Sequence, residues 1–180
     1  MLAEMIMNCK LRVENNGNLL RPFFLEVTPI FKDFERIAGR EFYDSFTIIR
    51  KKKGEILLKE GEISKSVWYL KEGVARFYSC KNNVEITNDF FFESEFIDVW
   101  DSSTLKVPSY FNIQLLADSV LYDINWERIH FLSQKYTILN ELEKLLVATY
   151  VRNMYKRIFD LQHMTATEKY RELIRNHPYI

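Results

Sequence analysis

KKKGEILLKEG spans residues 51–61 and is followed by VWYLKEGVARFY at residues 67–78. Gly54, Gly61 and Gly73 separate short runs that are rich in Ile, Leu, Val and Tyr. Glycine tolerates the positive φ angles that tight turns need, and glycines at short intervals between apolar runs are typical of closely turned strands. This stretch therefore predicts a compact all-β unit.

A period of two extends the β unit from Phe46 to Ile124. Apolar residues recur at every second position along VEITNDF (84–90), apart from Asn88, and along FNIQLLA (111–117) and VLYDI (120–124). Lys81-Asn82-Asn83 precedes the first of these runs and predicts a hairpin turn, because asparagine accepts positive φ better than most residues. Several short strands at regular spacing favour an antiparallel sandwich or barrel.

Helical periodicity replaces the period of two on both sides of the β unit. Before it, Thr28-Pro29 is typical of a helix start, and apolar residues at helical spacing follow as far as Phe42. After it, Asn125 can cap a short helix, and Thr165 with Glu168 forms a capping box for a last helix. The residues expected to face inward in that last helix are Tyr170, Leu173 and Ile174.

An apolar stripe at helical spacing runs from Ile138 to about His163, which predicts a helix about 38 Å long at 1.5 Å per residue. A helix of this length usually extends past its own domain, so that part of its stripe is buried against a partner. We therefore predict a homodimer along this helix, with a helix packed entirely on its own barrel as the alternative. The predicted interface residues are Leu142, Leu145, Leu146, Met154 and Ile158.

Composition narrows the functional classes. The 180 residues carry a formal net charge of +0 and are 47% hydrophobic, which favours a domain with a core over a disordered segment or a strongly basic nucleic-acid binder. Two cysteines, Cys9 and Cys80, fit free thiols and are too few for an iron–sulfur cluster. The chain has no run of 18 apolar residues and no secretory signal, so a cytoplasmic location without membrane contact is expected.

Enzyme signatures are missing from the sequence. The three histidines, His130, His163 and His177, lie in the helical half, whereas a cupin-type metal site needs several on neighbouring strands. No GxSxG, Walker or HExxH motif occurs. We therefore expect no enzyme activity, no metal and no cofactor, and a cupin-like metal enzyme ranks below the two functions given next.

The order of the motifs resembles that of the Crp/Fnr transcription regulators over nearly the whole chain. The motifs that carry the resemblance are KKGEILLKEG, VWYLKEGVARFY, the closing strands to Ile124, the long helix and the tail MTATEKYRELIRNHPYI. The resemblance implies an α+β fold, an antiparallel β jelly roll of the cyclic-nucleotide-binding type with N-terminal helices and a long C-terminal dimerisation helix. The tail is similar to the hinge and first helix of the family's winged helix-turn-helix domain.

Relatives that bind cyclic nucleotides carry a Phe-Gly-Glu cassette followed by an Arg-Ser or Arg-Thr pair. The glutamate accepts a hydrogen bond from the ribose hydroxyl, and the arginine forms an ion pair with the cyclic phosphate. Here Phe96-Ile97-Asp98-Val99 stands at the cassette and Ser109 stands at the place of the arginine, with Lys106 three residues away. A buried phosphate without its arginine would keep its desolvation cost, so we predict no response to cAMP.

The resemblance also implies a division of the chain and a site for an effector. The predicted parts are an N-terminal helical segment (1–45), a jelly-roll effector domain (46–124), a helix pair with the dimer helix (125–164) and the start of a C-terminal DNA-binding domain (165–180). The residues expected at the effector pocket are Asp98, Val99, Trp100, Ser109, Tyr110, Phe111 and Met154.

The resulting hypothesis is the effector-sensing and dimerisation part of a Crp/Fnr-like regulator. DNA would be bound only through a C-terminal domain absent from this chain, whether by natural shortening or by truncation. The alternative is a stand-alone jelly-roll module that binds a ligand or a protein without DNA. The sequence leaves open the small-molecule effector, the target genes and the choice between activator and repressor.

Overall fold

The computed structural model describes residues 32–177, apart from the side chains of Glu35, Leu146 and Thr149. Cys9, the predicted helix start at Thr28-Pro29 and the predicted helix end at Pro178 lie outside the described residues. The chain divides into two compact units, Met1–Leu139 and Asn140–Ile180. The finer four-part division stays a prediction.

Two four-stranded sheets make up the β part of the first unit. Their strands are β1 (Thr47–Lys51), β2 (Ile56–Leu58), β3 (Ser66–Glu72), β4 (Ala75–Lys81), β5 (Val84–Phe91), β6 (Glu95–Ile97), β7 (Asn112–Leu115) and β8 (Ser119–Asn125). The orders are β1-β8-β3-β6 and β2-β7-β4-β5, and each of these pairings is antiparallel. Because the chain crosses between the sheets at most connections, the arrangement is a jelly roll, and the predicted fold is confirmed.

The tight turns occur where glycine and asparagine stand. Asn82 and Asn83 have φ angles of 53° and 62° and join β4 to β5, so the predicted hairpin is confirmed. Gly73 has a φ of 114° in the turn between β3 and β4. A side chain at that position would meet Ser119 at the start of β8. The glycine therefore allows two connections to pass close together.

Apolar side chains fill the space between the two sheets. The period of two directs alternate residues of each strand inward, where they form one buried cluster. Its members are Leu58, Trp68, Leu70, Ala75, Phe77, Ile97, Val99, Ile113, Leu115 and Leu121. The alternation along β5 has a different result, because Val84 and Ile86 are exposed on a strand that pairs only with β4.

A second apolar layer lies on the outer face of the sheet β1-β8-β3-β6. Its rings form a row in which Phe42 contacts Phe46, Phe46 contacts Tyr122, and Tyr122 stacks on Tyr69. Tyr69 then meets Phe96 with 5.2 Å between ring centroids. In the part of this unit that the structure describes, a π-helical turn (Glu35–Gly39) leads into α1 (Arg40–Tyr43), and α2 (Trp100–Leu105) and α3 (Trp126–Lys135) follow later in the chain.

Polar contacts fix α3 to α1. Asn125 caps α3 as predicted, since its side chain accepts a hydrogen bond from the backbone N–H of Glu127. Glu41 accepts hydrogen bonds from Lys135 at 2.6 Å, Tyr136 at 2.7 Å and Arg128 at 3.1 Å. Lys135, followed by Tyr136, holds the pKa of the Glu41 carboxyl far below its usual range, at about 2.

Two helices form the described part of the second unit. They are α4 (Ile138–His163), which begins within the first unit, and α5 (Ala166–Asn176). The predicted bounds of the long helix are confirmed, and so is the capping box of Thr165 and Glu168. Lys156 on α4 joins the helices through Glu172 on α5 at 3.4 Å. The inward placement predicted for Tyr170 is wrong, because this side chain is exposed on α5.

Candidate functional site

The candidate site is the segment between β6 and β7, which includes α2. This segment carries most of the residues that the sequence predicted for an effector pocket. The sequence of this segment shows no clear helical periodicity, because α2 has only six residues. Its N-cap residue, Val99, also makes no side-chain capping hydrogen bond. The helix ends at Lys106, whose φ of 57° turns the chain back towards β7.

Val99 faces the jelly-roll interior rather than an open pocket. It is buried in the core cluster, and Phe111 packs against the same cluster. Phe77 lies beside them, with its ring centroid 4.5 Å from Phe91 and 5.8 Å from Phe111. Three aromatic rings thus occupy the interior next to the place where the family's glutamate would stand.

Ser109, at the place of the family's arginine, is buried and hydrogen-bonded within its own turn. Its Oγ donates to the carbonyl of Phe111 at 2.7 Å and accepts from the N–H of the same residue at 3.0 Å. Its backbone pairs with Gly61 and Glu62. Lys106, the nearest cation in the sequence, has an exposed side chain. Neither residue therefore offers a buried positive charge to a phosphate.

Asp98 is a partly buried carboxylate with one oxygen lacking a partner. Oδ2 accepts a hydrogen bond from the hydroxyl of Ser103 at 3.1 Å, whereas Oδ1 is buried without a partner among the described residues. Burial raises the pKa of the Asp98 carboxyl to about 7, against the opposing effects of Ser103 and the backbone of Val99. The negative charge of Asp101 acts in the same direction as burial.

Serines anchor α2, and the sequence interpretation missed them. Ser102 and Ser103 are fully buried on this helix, together with Ser64 in the loop before β3. Ser102 Oγ accepts from the N–H of Ser64 at 2.9 Å, and the hydroxyl of Ser64 donates to the carbonyl of Ser66. A buried hydroxyl needs partners of this kind, so these serines hold α2 against the sheet. The Ser102-Ser103 pair beside the cassette was the only signal in the sequence.

The remaining predicted pocket residues, Trp100, Tyr110 and Met154, are half-buried or exposed. Trp100 is half-buried and meets Trp126 edge-to-face at 5.6 Å. Tyr110 is 70% exposed. Met154 belongs to the second unit and is exposed on α4. The structure thus brings Val99 and Phe111 into one core cluster, and the pocket as a whole stays a prediction.

An open depression of about 330 Å³ lies elsewhere in the first unit. Its lining includes none of the predicted pocket residues. The residues that line it are Arg36, Ile37, Ala38, Gly39, Arg40, Glu41, Asp44 and Tyr136. Of its polar groups, Glu41 and Tyr136 belong to the contact between α1 and α3 described above, whereas Arg36 pairs with Asp33 and Arg40 with Asp44.

The predicted dimer residues differ in their exposure along α4. Leu142 is buried and Leu145 is half-buried, whereas Met154 and Ile158 are 46% and 48% exposed. The side chain of Leu146 lies outside the described part. The exposed apolar residues of α4 are Tyr150, Val151, Met154, Tyr155, Ile158, Phe159 and Leu161. At 3.6 residues per turn they cover about half of the helix circumference.

Residues 32–177 contain neither a membrane-spanning helix nor a cluster of metal-ligating side chains. No helix in that range is long and apolar enough to cross a membrane. No group of three or more His, Cys, Asp or Glu side chains in that range could hold a metal ion. Cys80 is an exposed free thiol on β4.

Comparison with known proteins identifies the fold. Neither the models of known protein families nor the sequences of curated proteins match this chain. Among solved structures, the Thermus thermophilus catabolite activator protein matches with a TM-score of 0.58 at 15% identity, covering 72% of this chain and 61% of that chain. This chain therefore spans less than two thirds of that relative's length.

Two other solved structures agree with this result. The sensor domain of the transcriptional regulator DNR from Pseudomonas aeruginosa matches with a TM-score of 0.55 at 17% identity, covering 79% of this chain and 98% of that domain. The c-di-GMP responsive global regulator CLP from Xanthomonas campestris matches with a TM-score of 0.57 at 16% identity, covering 77% and 70%. The chain has the cyclic-nucleotide-binding-like jelly-roll fold of these regulators, as the motifs predicted.

Proposed function

We propose that this chain is the effector-sensing and dimerisation part of a Crp/Fnr-like transcription regulator and is not an enzyme. The observation that carries the proposal is the succession of an eight-stranded jelly roll, the short helix α2 between β6 and β7, and the long helix α4. The sensor domain of DNR has the same fold over nearly all of its length. DNA reading is not assigned to α5, whose charged side chains sum to about +1.

Cyclic mononucleotides are not the effector in this proposal. The buried Val99 and the internally bonded Ser109 replace the two groups that would hold ribose and phosphate. A carboxylate at Asp98 would repel a phosphate placed nearby, and the interior is occupied by Phe77, Phe91 and Phe111. An effector that fits here would be smaller or less anionic than a nucleotide.

Isothermal titration calorimetry of the whole chain tests this part of the proposal. We expect no binding heat from cAMP or cGMP at concentrations that saturate a competent cyclic-nucleotide-binding protein, because neither Ser109 nor Lys106 offers a buried positive charge to the phosphate. A parallel titration of such a protein is the control. Micromolar binding of either nucleotide to this chain would contradict the proposal.

The apolar face of α4 supports the dimerisation part. Met154 and Ile158 lie four residues apart on one side of the helix, and between Tyr150 and Leu161 the arc covered by the exposed apolar residues carries no charged residue. A charge-free apolar surface suits a second copy of itself, since a two-fold contact buries the same patch on both protomers without like-charge repulsion. The buried Leu142 contributes less to such a contact than the exposed pair.

Sedimentation velocity at tens of micromolar tests the dimer. We expect the unmodified chain to sediment as a dimer and Ile158→Glu to weaken association about 100-fold or more, because a buried, unpaired carboxylate would cost about 3 kcal/mol at the interface. Asn153→Glu is the matched control, since it places the same charge at an exposed polar position of α4. A monomeric unmodified chain, or equal weakening by both substitutions, would contradict a dimer along this face.

A further inference from the structure

The carboxyl group of Asp98 is the least satisfied polar group at the candidate site. Its Oδ1 is buried and has no partner among the described residues, and its Oδ2 has one, the hydroxyl of Ser103 at 3.1 Å. A carboxylate in such a position has lost most of its hydration, and the hydrogen bonds from Ser103 and the backbone of Val99 replace only part of it. The neutral acid suits the same surroundings better, because it carries no charge to solvate.

Ser103 connects the protonation of Asp98 to the first turn of α2. Its Oγ lies 3.1 Å from Asp98 Oδ2 and 3.2 Å from the carbonyl oxygen of Trp100. A hydroxyl has only one proton to donate. When Asp98 is ionised, Ser103 donates to the carboxylate. When Asp98 is protonated at Oδ2, the acid donates to Ser103 and Ser103 is free to donate to Trp100.

We propose that the proton is an effector of this jelly roll, and that ionisation of Asp98 rearranges the first turn of α2 through Ser103. This inference rests on the proposed function, because it takes α2 as the sensing element. It assigns a signal to a domain whose interior is otherwise filled by its own side chains.

The chemistry of the surroundings places this transition near neutral pH. Burial raises the pKa of Asp98 to about 7, and the charge of Asp101 on the same helix adds to the increase. A carboxyl whose pKa is raised by folding binds its proton more tightly in the native state than in the unfolded chain. The native state therefore loses stability as pH rises from about 4 to about 7, and the loss is complete above that range.

Other charged groups on neighbouring elements define the controls. On β8, Asp123 pairs in register with Trp68, and Trp68 pairs with Ile97, the residue before Asp98. The Oδ1 atom of Asp123 is also buried without a partner among the described residues. On β6, the Glu95 carboxylate accepts from the N–H of Phe92. On α3, His130 is exposed, and its ring lies 3.1 Å from the side-chain amide of Gln134. A variant at Asp98 must therefore be compared with the unmodified chain at each pH.

Tryptophan fluorescence provides the readout. The chain has three tryptophans, and Trp100 lies two residues from Asp98 in contact with Trp126. In a titration of the full chain from pH 5.5 to 8.5, we expect one transition with a midpoint at about 7. Asp98→Asn should abolish it, because the amide cannot ionise and can donate to Ser103 at every pH.

Two further substitutions keep the test informative if Asp98→Asn does not fold. Asp101→Asn removes a negative charge near Asp98 and should lower the midpoint of the titration by about half a pH unit or less. Ser103→Ala removes a donor to the carboxylate and should raise the midpoint by about one unit. A transition that persists in Asp98→Asn, or midpoints that do not move in these directions, would overturn the proposal. Sedimentation of the same samples shows separately whether the dimerisation part of the proposed function holds.

Discussion

Replacing Gly73 by alanine is expected to destabilise the jelly roll by about 3 kcal/mol or more. Two effects add together. The φ of 114° lies in a region that alanine rarely adopts. The new methyl group would also stand 2.2 Å from Ser119 Oγ, 2.8 Å from Ser119 Cβ and 3.1 Å from the carbonyl oxygen of Asp118. Since one of these atoms belongs to the backbone, rotation of the serine alone cannot relieve the contact.

Gly54→Ala provides the matched control for this prediction. Gly54 also has a positive φ, of 89°, but a Cβ there would have no neighbour within 4 Å. Its substitution should therefore cost about 1 kcal/mol, from backbone strain alone. Urea denaturation followed by circular dichroism measures both values. If both substitutions lowered the free energy of unfolding equally, the close approach of the β3–β4 turn to Ser119 would not contribute to the effect at Gly73.

A double variant separates the two effects at Gly73. Ser119→Gly removes the Oγ and Cβ that crowd the new methyl group, but leaves the carbonyl of Asp118 in place. In the Gly73→Ala background it should recover part of the lost free energy of unfolding, because only the steric part is relieved. Ser119 is buried and its hydroxyl bonds to the carbonyl of Ala117, so the single Ser119→Gly variant sets the baseline.

Local chemistry explains why much of the fold could be predicted from the sequence. The Asn82-Asn83 turn requires two positive φ angles, and few other residue pairs supply them. The capping box at Thr165 and the 26-residue helix α4 follow from interactions between residues close in sequence. A period of two in the apolar residues indicates that a segment is extended. It does not report which face is covered, and for that reason Val84 and Ile86 match the pattern and are exposed.

The candidate site was harder to predict for a related reason. Counting residues from Ile124 placed Ser109 opposite the family's arginine, but its hydrogen bonds to Phe111 depend on a turn that no periodicity reveals. The surroundings of the unpartnered oxygen of Asp98 depend on tertiary contacts near α2, such as that of Ser102 with Ser64. Those contacts join residues 38 positions apart in the chain, beyond the reach of a local pattern.

Phe77→Ala is expected to lower the free energy of unfolding by about 3–5 kcal/mol, because it removes a buried ring and leaves a cavity. The Phe77 ring packs against Phe91 and stacks on Phe111 with 7° between the planes, so its neighbours cannot collapse without losing their own contacts. Phe131→Ala is the matched control, because it makes the same phenylalanine-to-alanine substitution at an exposed position. Phe131 is exposed on α3 and contacts Arg128, which is worth about 0.5 kcal/mol.

The same variant tests whether the interior is filled beside Val99 and Phe111, which the sequence predicted for an effector pocket. A cavity lined by Phe91, Phe111 and their aliphatic neighbours would be apolar and should stay dry, so a small aromatic such as benzene can enter it. Benzene should then raise the thermal midpoint of Phe77→Ala by mass action and leave that of the unmodified chain unchanged. Two results would contradict this inference: equal stability of Phe77→Ala and Phe131→Ala, or equal stabilisation of Phe77→Ala and the unmodified chain by benzene. Either would mean that the interior of the unmodified jelly roll already contains an open cavity beside Phe77.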